Sequence, residues 1–115
     1  MLIENEYIIH DKIEKNLEII KDGYLKLHGM LIGNITLRND GVLKEHGLIN
    51  GTICLYDNSK AILHGMSNGD IINNGGIVEI YGSVNGRIIN NNGQTIINKG
   101  SMVNGTVYED EQIIK

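Results

Sequence analysis

The sequence predicts an all-β, single-domain parallel β-helix, a triangular β-solenoid of about six coils, each advancing the numbering by 17 to 19. Three observations predict it: an aliphatic composition almost free of aromatic bulk, a tandem repeat at a spacing of about 18, and a six-residue period of aliphatic side chains inside that repeat.

Among its 115 residues the chain has 15 Gly, 15 Asn, 5 Tyr and no Pro, Trp or Phe, yet apolar residues reach 41%. Gly and Asn together make up about a quarter of the chain, far above ordinary usage. Abundant Ile, Leu and Val argue against disorder, so the core must be aliphatic.

A Gly-x-x-x-Gly unit recurs as Gly29/Gly33, Gly47/Gly51, Gly65/Gly69 and Gly82/Gly86, with a looser Gly100/Gly105 at the end. From one leading glycine to the next the numbering advances by 18, 18, 17 and 18. Repetition at such a period is the signature of a stacked architecture. Within it, Ile13, Ile19, Leu25, Leu31, Leu37, Leu43, Ile49, Leu55 and Ala61 follow one another at intervals of six. After one missing residue the register is expected to resume as Ile72, Val78, Val84, then Asn90, Ile96 and Met102. A helix needs a spacing near 3.6. Three faces of six residues, each turning an aliphatic inward, close one triangular coil of 18.

Corners need a left-handed backbone or a missing side chain, and Asn39-Asp40-Gly41, Asn73-Asn74-Gly75-Gly76 and Asn90-Asn91-Asn92-Gly93 supply them. Proline would remove a donor from the inter-coil ladder, and there is none. Residues 13–107 are expected to form the solenoid, residues 1–12 an N-terminal cap or tail, and residues 108–115 a C-terminal cap or tail.

Positions one repeat apart should lie directly above one another. Asn50, Asn68, Asn85 and Asn104 then form an amide ladder, expected to be structural. All four histidines, His10, His28, His46 and His64, share one column that is expected to continue as Tyr81 and Lys99. Imidazoles one strand spacing apart are weak candidates for a metal site, because no carboxylate or thiol recurs beside them. Cys54 has Thr36, Ile72 and Ile89 as counterparts, and no base stands beside it to activate a nucleophile.

The net charge is −4, and no Lys/Arg cluster exceeds two, which speaks against nucleic acid as a partner. A lone cysteine fits a reducing compartment, and neither a signal-peptide pattern nor a membrane-length apolar run is present. A cytoplasmic, non-enzymatic protein without cofactor is expected. The glycine units are not phosphate loops, since none is followed by Lys-Ser/Thr or a helix.

The stretch Gly47-Leu48-Ile49-Asn50-Gly51-Thr52-Ile53, with Gly41-Val42-Leu43, resembles the bactofilin family of polymer-forming bacterial cytoskeletal proteins. The resemblance runs from about Ile13 to Val107. It implies a compact right-handed β-helix whose units join end to end into filaments without nucleotide. Self-assembly would then use the first coil (Ile13, Leu17, Ile19) and the last (Ile96, Met102, Val107). Left-handed hexapeptide acyltransferases share the six-residue period, but they want a small or acidic residue after each inward aliphatic, where this chain has Lys26, Ile32, Arg38, Lys44, Asn50 and Tyr56. The alternative to self-assembly is a solenoid that binds another protein, such as a toxin-neutralising or adaptor protein, through one face.

Overall fold

The computed structural model describes residues 1–115. It is a parallel β-solenoid without helices, wound in six coils. The first coil holds β1 (Leu2–Ile3), β2 (Glu6–Ile9) and β3 (Lys12–Glu14); the second holds β4 (Leu17–Ile19), β5 (Tyr24–Leu27) and β6 (Met30–Ile32). The third holds β7 (Ile35–Leu37), β8 (Val42–Glu45) and β9 (Leu48–Asn50); the fourth holds β10 (Ile53–Leu55), β11 (Lys60–Leu63) and β12 (Met66–Asn68). In the fifth, β13 (Ile71–Ile80) and β14 (Ser83–Asn85) suffice, and in the sixth β15 (Ile88–Ile97) and β16 (Met102–Val103). The chain ends with β17 (Thr106–Val107) and β18 (Gln112–Ile114). Segment 1–12, expected as a cap or tail, therefore winds as most of a regular first coil, with β1, β2 and β3 pairing in parallel with β4, β5 and β6.

Stacking follows the register of the repeat. Ile53 lies between Ile35 and Ile71, and Ala61 between Leu43 and Val78. The inner columns are fully dry: Ile19, Leu25, Leu31, Leu37, Leu43, Ile49, Ile53 and Leu55 have no exposed surface. One face of each coil turns one residue inward, while the other two turn inward a pair separated by one residue, such as Ile35 with Leu37 and Leu25 with Leu27. The six-residue count finds one member of each pair. Burial of these aliphatics, at about 25 cal/mol per Å2, is the main stabilising term.

The glycine column has a plain cause. A Cβ on Gly47 would collide with the carbonyl oxygen of Gly29 one coil away, and one on Gly65 with that of Gly47. Adjacent coils meet backbone to backbone at this edge, so only glycine fits.

The missing residue lies at a corner. Leu55 pairs with Asn73 but Ala61 pairs with Val78, so the offset between coils drops from 18 to 17 between those two pairs. Earlier coils turn there through two left-handed residues, Lys21/Asp22, Asn39/Asp40 and Asp57/Asn58; the fifth coil uses Gly75, with φ 139°, and β13 runs through the corner unbroken. This corrects, at Ile72, Ile96 and Met102, the register expected after the deletion, while Val78 and Val84 are buried as expected. Ile72 faces outward beside Cys54, and Asn73 takes the inward place below Leu55. Asn73 is buried without penalty because its Oδ1 accepts the N–H of Gly76 (2.8 Å) and of Gly75 (3.2 Å), while its Nδ2 donates to the Gly76 carbonyl (3.0 Å). In the sixth coil, likewise, Thr95, Ile97 and Val103 point inward, and Ile96 and Met102 point outward.

The two ends differ. At the C-terminal end, β18 covers the edge of β15 as an antiparallel strand (Ile96 opposite Ile113), and β17 covers β16 in the same way (Met102 opposite Val107). No strand covers the outer edge of β1, β2 or β3.

Candidate functional site

The solenoid carries its polar chemistry on outer columns. Because parallel stacking superimposes equivalent residues, the four imidazoles form a continuous stack on one corner. Ring centroids are 5.4 Å apart for His10–His28 and His28–His46 and 4.7 Å for His46–His64, with planes within 11° of parallel. Tyr81 continues the stack 4.6 Å from His64. Lys99 does not. Two extra residues follow Ile97 in the last coil, so Asn98 takes the next position, its N–H donating to the Ile80 carbonyl (2.9 Å) as that of Tyr81 donates to Leu63 (2.8 Å).

No three His, Cys, Asp or Glu side chains converge in a group able to hold a metal ion. The imidazoles lie face to face, which spreads their nitrogens along the rod instead of aiming them at a common point. Stacking does perturb titration. His46 is held below the ordinary value of 6.5, first by loss of hydration, then by the charges of His64, Lys44 and His28. A depressed histidine contributes stability that is fully present above its unfolded pKa and is lost as pH falls through the lower folded value. Below pH 7 the stack should therefore subtract from stability, and His46→Gln should melt progressively higher than wild type between pH 7 and pH 5. Superimposable melting profiles for the two proteins would show that the stack carries no charge penalty.

The amide ladder is shorter than the sequence suggests. Asn68 Nδ2 donates to Asn50 Oδ1 (2.9 Å) and Asn85 Nδ2 to Asn68 Oδ1 (2.8 Å). Asn104 leaves the ladder and donates to the Gly86 carbonyl instead, in a coil where two inserted residues have changed the local path. A further column, Asn16, Asn34, Thr52, Asp70 and Arg87, links coils through side-chain acceptors: Asn16 takes the N–H of Asn34, Asn34 that of Thr52, and Asp70 that of Arg87.

Cys54 is half-buried between Thr36 and Ile72. Burial pushes its thiol up, which keeps it protonated and weakly nucleophilic at neutral pH.

Glu45 is the group that sequence reasoning missed. It closes β8, and with Leu27 and Leu63 as its neighbours in the stack its carboxyl has no exposed surface. Oε1 accepts the N–H of Gly65 (3.1 Å), and Oε2 has no partner. Desolvation pushes the carboxyl up to about 8, against the lowering effect of the Gly65 and Met66 amides. It is therefore a neutral acid at pH 7, sealed from any substrate.

The residues expected to carry self-assembly are spread over different environments. Leu17 and Ile19 are buried in the second coil, beneath the first. Ile13 is half-buried in the first coil. Ile96 lies against β18, and Met102 and Val107 stand on the outer surface of a side face, 39% and 55% exposed. Apolar surface at the uncovered end comes instead from Met1, Leu2, Tyr7 and Ile8.

What fold and site together define is a parallel β-solenoid with stacked polar columns. No family model, curated protein or solved structure matches the chain. No helix is long and apolar enough to cross a membrane.

Proposed function

We propose that this chain is a non-enzymatic structural protein that self-assembles through a solenoid end without nucleotide, in the manner of the bactofilin-like proteins its repeat resembles. One observation carries the reading: the outer edge of the first coil is uncovered, whereas the opposite end is roofed on two faces by β17 and β18. An uncovered edge presents unpaired backbone groups that a second strand can satisfy. Beside it, Tyr7 occupies the inward column of Leu25 with 39% of its surface still exposed. Two first coils joined edge to edge would bury that layer. Growth beyond a pair would require the C-terminal roof to lift.

The test is light scattering and negative-stain microscopy on nucleotide-free protein. Wild type should show end-joined pairs or filaments, Tyr7→Lys should break them, and removal of residues 109–115 should lengthen them. Assembly indifferent to Tyr7→Lys would overturn the end-joining mechanism. A second reading, a solenoid that binds another protein, is favoured by the roofed C-terminal end with Glu109, Asp110 and Glu111 beside it, because a capped end limits polymer growth.

A further inference from the structure

The three side faces are not equivalent. One, formed by β4, β7, β10 and the first half of β13, is edged by Glu18, Arg38, Asp70 and Arg87, with ion pairs Arg38–Glu18 (3.1 Å) and Arg87–Asp70 (2.9 Å). The next, formed by β5, β8, β11 and the second half of β13, displays Lys26, Lys44, Lys60 and Glu79. The third is the seven-stranded sheet β17-β16-β14-β12-β9-β6-β3, and beyond β3 its strands contain no charged residue. One outward row of this sheet reads Met30, Leu48, Met66, Ser83, Met102 and Val107. The neighbouring row reads Ile32, Asn50, Asn68 and Asn85. Ile32, Met66, Met102 and Val107 are each more than a third exposed.

We infer that this uncharged sheet is an interface on which a second copy of the chain packs face to face. The inference does not rest on end joining, which uses a different surface. Three features fit a second copy. First, covering the row of amides costs little, because Asn50, Asn68 and Asn85 already hydrogen-bond one another along the ladder. Second, the patch has the required size. Its seven strands, about 4.8 Å apart, span roughly 29 Å, and the five from β3 to β14 are three residues wide, roughly 10 Å. Two such faces meet over roughly 600 Å2 in flat projection, and the relief of their side chains brings the accessible area buried toward about 1,000 Å2, the lower limit for a specific pair and the scale of a weak one. Third, the sheet is self-complementary about a two-fold axis along its middle strand, β12. That axis lays the Met/Leu row of one copy along the same row of the other. It also sends Lys12 and Glu14, which neutralise each other at 2.9 Å, to the two outer rims.

Met66, on the axis, faces Met66 of the partner subunit, so a lysine there sets two charges against each other. The experiment compares sedimentation of Tyr7→Lys, in which end contacts are removed, with Tyr7→Lys/Met66→Lys. The first should run at twice the chain mass of 12.7 kDa at about 1 mM, the second at the single mass. Both should keep the wild-type β-sheet circular dichroism, because Met66 points outward. Facing sheets stand about 10 Å apart, too far for a disulfide. A short bifunctional maleimide should instead couple Met66→Cys, on a Cys54→Ser background, at least about ten times faster than Ile77→Cys, an equally exposed position on a charged face. A single-chain mass for Tyr7→Lys, a double mass that survives Met66→Lys, or equal coupling at the two cysteines would each overturn the inference.

Discussion

Ile53→Asp should abolish cooperative folding. Ile53 has no exposed surface and sits between Ile35 and Ile71 in a column with no polar partner. An unpaired carboxylate there costs more than the roughly 4–5 kcal/mol that marks exceptional substitutions. A domain of this size has only about 5–15 kcal/mol to lose. Urea titration followed by circular dichroism should show no native baseline. Lys44→Asp is the control. Lys44 points outward opposite Lys26, so the exchange replaces a like-charge contact with an attractive one, and its midpoint should stay at or slightly above wild type. A cooperative, wild-type transition for Ile53→Asp would mean that the inner columns are wrongly assigned.

Glu45→Leu should stabilise the protein, and more so at higher pH. The carboxyl sits at about 8 in the folded chain against 4.5 as the unperturbed value. A raised pKa means that the native state holds the proton more tightly. The stability this group allows is complete below about pH 4.5 and is lost as pH rises through 8. Each pH unit in that window costs about 1.4 kcal/mol. Wild type should thus weaken from pH 5 to pH 9, and the leucine variant should lack that slope. Leucine also matches Leu27 and Leu63, its stacking neighbours, so a gain of roughly 2–4 kcal/mol at pH 9 is expected. Glu45→Gln should remove the slope with a smaller gain, since it leaves a buried amide. Parallel urea midpoints for wild type and Glu45→Leu across pH 5–9 would refute this account of the site.

The solenoid is legible because stacking imposes one period on every coil. Once Leu25, Leu31 and Leu37 are seen six apart, the inward columns follow. What stays hidden is local. Spacing shows that one residue is missing between Gly65 and Gly82 but not at which corner, so the count turns Ile72 inward where Asn73 lies. The alternation Ile71-x-Asn73, parallel to Ile53-x-Leu55, carries that information, but a buried asparagine reads as a corner residue. Glu45 follows Lys44 in a stretch that resembles a solvated strand, and its burial depends on the second inward residue of each long face, which a six-residue count skips. The histidine stack is visible as a column, whereas its end at Asn98 depends on an insertion that only the backbone path reveals. The roof of β17 and β18 has no sequence signature beyond a broken glycine pattern.

The deletion at Gly75 bears on how such a chain tolerates change. The fifth coil has lost a residue, yet Ile77, Val78, Glu79 and Ile80 stand in unbroken register on Lys60, Ala61, Ile62 and Leu63. The slip is absorbed within one corner because coils touch only their neighbours. Length is therefore a variable this architecture can change module by module, gaining or shedding whole turns while each remaining turn keeps its surroundings.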